Sequence, residues 1–241
     1  VSGTLFTLGM GPGDPELVTR KAARILGAAP VVAYFAKAGR IGHARGIAEG
    51  MIAPRAEELR FDYPMTTEIS PHDGRYVDAM AACYAAAAET LAERLATGLD
   101  VALLCEGDPF FYGSSMYLFD RLRDRFATEI VPGVLGMSGC WAEARLPMTH
   151  GDDVLAVLPG TMTAEALAGH LAGADAAVIM KLGRNLPKVR AALETAGRAN
   201  RAVYVERGTM TGSRIQLLTE KLDDTAPYFS LILVPGRQRP R

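Results

Sequence analysis

Apolar residues along this chain follow two alternating patterns. Short continuous runs rich in Val, Ile, Leu, Phe and Tyr recur at 4–8, 31–35, 101–105, 128–131, 154–158, 176–181, 202–206 and 228–234. Turn residues bound most of these runs, so each is predicted to be a strand. Between them the apolar positions repeat at helical spacing. Leu17, Val18, Ala22, Ile25 and Leu26 form one such stripe. It follows a start signal in which Asp14 caps, Pro15 takes the first helical position and Glu16 suits the dipole. A long Ala-rich helix is expected over 75–97, another around Met116, Leu118, Phe119 and Leu122, and two more over 163–171 and 186–196.

Strands alternating with helices predict an α/β fold. With 241 residues the chain is long enough for two modest domains, each with a core. The expected division is an N-terminal α/β domain over 1–115, a connecting helix and linker over 116–132, and a C-terminal α/β domain over 133–241. Residues 36–74 depart from the pattern. They carry Lys37, Arg40, His43 and Arg45, then Pro54 and Tyr63-Pro64-Met65-Thr66-Thr67. This stretch is expected to be an insertion or lid with partial helix, because long loops in compact domains are usually functional or disordered.

Composition narrows the function. Lys and Arg number 26 against 27 Asp and Glu, a formal net charge of −1. That balance offers no electrostatic case for nucleic acid or an anionic membrane surface. No apolar run approaches the roughly 20 residues of a spanning helix, and the chain opens on a strand-like run without a leader pattern. Cys83, Cys105 and Cys140 are widely spaced, and the four histidines lack ligand spacing. Reduced thiols, a cytoplasmic location and no metal are expected.

Chemistry concentrates where strands end. Thr4-Leu5-Phe6-Thr7-Leu8 runs into Gly9-Met10-Gly11-Pro12-Gly13-Asp14-Pro15, and Val101 to Cys105 runs into Glu106-Gly107-Asp108-Pro109. Open α/β sheets bind ligands at the carboxyl ends of their strands, so these turns are read as two lips of one small-molecule site. The first turn is not a dinucleotide fingerprint. Asp14 stands where the third glycine would be, and Pro12 lacks an N–H for a pyrophosphate. The plain alternatives are helix caps at Asp14 and Asp108. Val131-Pro132-Gly133-Val134-Leu135-Gly136 ends another strand in small residues, where ordinary close packing is the competing reading. Met180 ends a further strand, as core filler or adenine cover, and Glu206-Arg207-Gly208-Thr209 another, with a solvated turn as its alternative.

Taken in order, these turns resemble the tetrapyrrole methyltransferases, the S-adenosylmethionine-dependent enzymes of corrin and sirohaem synthesis. The matching pieces are Gly9 to Thr19, Glu106 to Pro109, Val131 to Gly133, Ile179 to Leu182 and Glu206 to Thr209, nearly the whole chain. Within the family, three segments look most like the branch that methylates C20 of precorrin-2. They are Tyr63-Pro64-Met65-Thr66, Phe110-Phe111-Tyr112-Gly113-Ser114-Ser115-Met116-Tyr117, and Leu146 to Asp153.

The resemblance implies two α/β domains with a cofactor cleft between them, a homodimer, and a tetrapyrrole as partner. It implies that Pro12, Gly107, Asp108, Phe111, Leu135, Gly136, Met180, Gly208 and Thr209 hold S-adenosyl-L-methionine and release S-adenosyl-L-homocysteine. Relatives often carry Ser or Thr where Leu135 stands, so backbone contact is expected there. The substrate's eight carboxylates make Arg40, His43, Arg45, Arg75 and His150 candidate partners; solvated surface charge is the alternative. Asp14 and Glu106 are the candidate proton acceptors. Rival readings are a cobalt-loaded substrate or another macrocycle position, a non-catalytic S-adenosylmethionine-binding module, a nicotinamide reductase, and a methyltransferase acting on diphthine intermediates.

Overall fold

A computed structural model describes residues 1–65 and 73–236. The chain forms two compact units, Val1–Leu135 and Gly136–Arg241. The first runs β1 (Thr4–Gly9), α1 (Arg20–Leu26), β2 (Val31–Lys37), α2 (His43–Ile47), β3 (Glu57–Tyr63), α3 (Gly74–Ala96), β4 (Val101–Cys105), α4 (Ser115–Leu122) and β5 (Ala127–Val131). Its five strands make one parallel sheet in the order β3-β2-β4-β1-β5.

Helices cover both faces, which is why β4 reads as an unbroken apolar run. Val101 and Leu103 pack with Leu5, Leu91, Leu95, Leu118 and Leu122, on the side of α3 and α4. Ala102 and Leu104 point the other way, to Ala22, Ile25, Leu26, Ala44 and Ile47 of α1 and α2. Helix α3 buries Met80, Tyr84, Ala87, Ala88, Leu91, Ala92 and Leu95, a stripe at helical spacing. The chain thus leaves β1 toward one face and β4 toward the other, although β1 and β4 are neighbours. This is a topological switch point, the place where an open parallel sheet offers a crevice.

Three expectations change here. The stretch 36–74 is not simply an insertion, because it contributes α2 and the edge strand β3. In β3 only Leu59 and Phe61 pack on the core; Glu57, Glu58, Arg60 and Asp62 disguise the strand in the sequence. Residues 66–72, which include Thr66 and Thr67, lie outside the described residues. The helix and strand expected within 116–132 form as α4 and β5, but they belong to the first unit, where β5 pairs with β1 through Leu5↔Thr128 and Leu8↔Val131. The first helix is also broken. Asp14 caps a short 3-10 turn, Pro15–Leu17, and Thr19 then caps α1 by accepting from Ala22 N at 3.2 Å.

The second unit runs α5 (Gly136–Glu143), β6 (Leu155–Pro159), α6 (Ala164–Gly173), β7 (Ala176–Met180), α7 (Leu186–Thr195), β8 (Val203–Glu206), β9 (Arg214–Leu217) and β10 (Ser230–Val234). Its sheet is mixed, in the order β6-β7-β10-β8-β9. Strand β10 lies antiparallel to β7 and β8, so the latter two end at the same edge. Leu167, Leu171, Leu186, Val189 and Leu193 of α6 and α7 pack on Ala177, Ile179, Tyr204, Ile232 and Val234. Arg190 of α7 fastens the chain before β10 by donating to the carbonyls of Leu218 and Lys221 at 2.9 and 2.5 Å. Strand β9 is four residues long, and its polar Arg214 and Gln216 hide it from an apolar-run reading.

Candidate active site

At the switch point of the first unit the two glycine–acid turns meet. Gly107 N donates to Gly11 O at 2.8 Å, and Gly11 N to Gly107 O at 3.3 Å. Gly11 and Gly107 have φ of 75° and 62°, the left-handed region that glycine enters without steric cost. The loop after β5 closes on the same point. A Cβ on Gly133 would lie 2.0 Å from Gly107 O, and one on Gly9 would lie 2.5 Å from Gly133 N. The obstacles are backbone atoms, so only glycine lets these three loops touch.

Asp108 locks the arrangement. Its Oδ1 accepts from Phe110 N at 2.9 Å and its Oδ2 from Gly133 N at 3.1 Å. The carboxylate therefore does cap a turn, yet each oxygen keeps a further lone pair for an incoming ammonium or hydroxyl. Beside it, burial pushes the Glu106 carboxyl up from 4.5 to about 7. Asp14 serves its own turn, accepting from Glu16 N at 2.9 Å. Pro12 and Phe111 are half-buried in the same two loops. Burial pushes the Cys105 thiol up to about 11 and the Cys140 thiol up to about 12, so neither is a thiolate near neutrality.

In the second unit, Gly208 and Thr209 follow β8 and pack on α5. A Cβ on Gly208 would lie 2.5 Å from Cys140 Sγ. Thr209 N donates to a Glu143 carboxylate oxygen. Thr209 is β-branched yet has φ of 64°, and Arg207 and Lys181 have φ of 54° and 57°. Such backbone is costly outside glycine and tends to mark functional loops. Thr209 Oγ1 is buried with no partner among the described residues. Met180 ends β7 half-buried, its carbonyl accepting from Gly160 N at 2.7 Å. Gly136 opens α5 exposed, and a Cβ there would meet nothing within 4 Å among the described residues. Leu135, half-buried, is the last residue of the first unit.

A family model, Tetrapyrrole (Corrin/Porphyrin) Methylases, matches residues 4–223. The chain belongs to this family. It is 56% identical over 239 residues to a precorrin-2 C(20)-methyltransferase of a Sinorhizobium species, covering 99% of this chain and 98% of the relative. It is 30% identical over 239 residues to the cobalt-precorrin-2 C(20)-methyltransferase of Salmonella typhimurium, covering 97% of each. Among solved structures, the uroporphyrin-III C-methyltransferase from Thermus thermophilus, complexed with S-adenosylhomocysteine, matches at a TM-score of 0.65. That pair is 26% identical, with 96% of this chain and 97% of the other covered.

The basic set expected from the sequence divides. Arg45 is engaged: its Nε and Nη2 donate to the two oxygens of Glu58 at 2.7 and 3.0 Å. This pair joins α2 to β3, and β3 was the strand the sequence disguised. Arg75 forks onto Asp73 at 3.1 and 2.8 Å, at the start of α3. Both guanidinium groups thus have local carboxylate partners. Arg40 is exposed in the turn after β2, and His43 is exposed at the first turn of α2. His150, in the second unit, is exposed and donates its backbone N–H to Asp153 at 2.9 Å.

One cluster was not foreseen as a cluster. The Tyr63 and Tyr84 hydroxyls both donate to Ser114 Oγ, at 2.9 and 3.1 Å. These residues lie 51 and 30 positions from Ser114. The available signal was the density of aromatic residues in Phe110-Phe111-Tyr112 and Tyr117.

Proposed function

We propose that this protein methylates precorrin-2 at C20 with S-adenosyl-L-methionine, giving precorrin-3A and S-adenosyl-L-homocysteine in cobalamin biosynthesis. The observation that carries this reading is the 56% identity, end to end, with a precorrin-2 C(20)-methyltransferase. The 30% identity with the cobalt-precorrin-2 enzyme supports the same carbon, and its lying below 56% favours the metal-free substrate. The same reading carries a homodimer working in the cytoplasm.

The residues present suit the cofactor. Asp108 keeps lone pairs for an ammonium or ribose hydroxyl at the switch point, and Thr209 holds a buried hydroxyl without a partner among the described residues. Gly107 and Asp108 would take the methionyl amine or ribose, with Pro12 and Phe111 beside them. Leu135 and Gly136 would make backbone contacts, and Met180, Gly208 and Thr209 would take the adenosine. When bound, the cofactor supplies an electrophilic methyl group on a sulfonium.

C20 of precorrin-2 is enamine-like, so the chain's main task is to align that carbon and exclude water. After transfer one proton has to leave C20. Glu106 is the acceptor we assign, because a carboxyl at about 7 is both ionised near neutrality and basic enough to take it. Asp14, already a cap, holds its turn. Arg40, His43 and His150 would meet substrate carboxylates.

Anaerobic incubation with precorrin-2 and methyl-labelled S-adenosylmethionine, followed by mass and NMR analysis of the pigment, tests the reading. One methyl added at C20 is expected. Transfer only to the cobalt form would move the assignment to the metal-loaded substrate, and failure with both would sink it.

A further inference from the structure

The carboxyl ends of β2, β3 and β4 gather an unusual aromatic set. Phe35 of β2 stacks on Tyr63 of β3 at 5.0 Å and meets Tyr84 of α3 edge-on at 5.6 Å. Tyr84 stacks on Tyr117 of α4, centroids 4.6 Å apart and planes 16° apart. The pair is asymmetric: Tyr84 is 7% exposed and Tyr117 49%. Packing alone would be met by leucine or phenylalanine. Here two phenols converge on one serine hydroxyl, which fixes the tilt of both rings. Burial pushes the Tyr84 phenol up to about 12, so it stays a neutral donor across the physiological range.

This cluster is continuous with the switch-point loop. Ser114 ends the loop that Glu106-Gly107-Asp108 begins, and the next residue, Ser115, donates to Pro109 O at 2.8 Å. Strand β3 borders it, where Arg60 is ion-paired with Asp62 at 2.8 Å. Arg60 of β3 donates to Lys37 O at 3.1 Å, and Lys37 is the register partner of Tyr63. A half-exposed ring stacked flat on a buried, orientation-locked ring fits a broad conjugated macrocycle.

We propose that Tyr117, held by Tyr84 and the Ser114 hydroxyl, is the stacking surface that positions the tetrapyrrole macrocycle in the first unit. The inference rests on the tetrapyrrole reading above and adds to it a residue-level determinant. Tyr117 touches the substrate ring; Tyr63, Tyr84 and Ser114 act through it.

The test compares wild type with Tyr117→Ala, Tyr117→Phe and Ser114→Ala. Binding of an octacarboxylate porphyrin is followed by fluorescence titration, binding of S-adenosylhomocysteine by calorimetry, and KM and kcat with precorrin-2 by anaerobic assay. Tyr117→Ala should weaken porphyrin binding and raise KM by about tenfold, as expected for loss of an aromatic stack. Its S-adenosylhomocysteine affinity should hold within about twofold, since an exposed ring is removed far more gently than a buried one. Tyr117→Phe should restore wild-type behaviour, and Ser114→Ala should fall between. An unchanged porphyrin affinity in Tyr117→Ala, an equal loss of cofactor-product affinity, or no porphyrin binding by wild type would overturn the proposal. A wild type that binds porphyrin through Tyr117 but leaves precorrin-2 unmethylated would refute the reaction while upholding the surface.

Discussion

The two units close their strand-end loops by opposite means. In the first, Gly9, Gly107 and Gly133 meet backbone to backbone, and left-handed positions at Gly11 and Gly107 fall on glycine. In the second, left-handed positions fall on Lys181, Arg207 and Thr209, and the glycine at 208 makes room chiefly for a side chain, Cys140. The contacts of the first set rest on glycine, although Tyr112 in the loop after β4 is left-handed at 56°, whereas the second set carries this strain on three larger residues. A relaxed fit suits a fixed crevice; stored strain suits a loop whose conformation a ligand helps to pay for.

Four experiments break or sharpen that contrast, from the largest effect down. Gly133→Ala should cost about 3 kcal/mol or more, because its Cβ collides with a carbonyl that only a loop shift can move. Gly208→Ala should cost about 2 kcal/mol, and Cys140→Ala in the same chain should recover part of it. Chemical denaturation of the singles and the double measures this. Equal costs without recovery would erase the distinction between a backbone and a side-chain obstacle.

The second experiment concerns Glu106. Its folded pKa of about 7 lies above the usual 4.5. The protein therefore binds this proton more tightly when folded. The resulting stabilisation is complete below pH 4.5 and is lost as the pH rises toward 7. Glu106→Gln should accordingly gain about 3 kcal/mol over wild type at pH 8 and nothing near pH 4. The rate of wild type should climb through pH 7, and that rise should vanish in Glu106→Gln. A flat stability difference across pH would remove Glu106 as the titrating group.

Third, Thr209→Gly should stabilise by about 1 kcal/mol by relieving its positive φ, whereas Gly107→Ala should destabilise by at least as much. Thermal unfolding decides it, and a destabilised Thr209→Gly would mean that the second unit stores no strain there.

The smallest effect separates two unpartnered threonines. Thr7 in β1 and Thr209 both bury a hydroxyl without a partner among the described residues. Thr7→Val should gain about 1 kcal/mol and leave S-adenosylhomocysteine affinity alone. Thr209→Val should weaken that affinity about fivefold. Equal affinities in calorimetry would assign both orphans to structure alone.

Local sequence was a sufficient guide wherever the physics was local. The apolar run at 101–105 had to be a strand buried on both faces, and the spacing of α3 had to bury one stripe. The glycine–acid turns had to mark strand ends, because no other residue tolerates that approach. The ordered turns also carried the family, since each is held by its own backbone. Strands β3 and β9 stayed hidden because Glu57, Glu58, Arg60 and Asp62 interrupt the first and Arg214 and Gln216 the second, whereas the other two edge strands, β5 and β6, keep enough apolar residues to read. The helix and strand within 116–132 were legible but their place in the first sheet was not, because the pairing of β5 with β1 joins residues more than a hundred positions apart, a hydrogen-bond choice no local pattern records.

The same division runs through the site. Sequence alone placed Gly107, Asp108 and Glu106 at a strand end. Only the tertiary structure brought Gly11 onto Gly107, drew both Asp108 oxygens onto amides, and raised Glu106 by burial. It also withdrew Arg45 and Arg75 into local ion pairs and assembled Tyr63, Tyr84 and Tyr117 around Ser114. Composition and spacing determine which residues can do chemistry, but burial and partners across the sheet decide their charge, orientation and freedom to act.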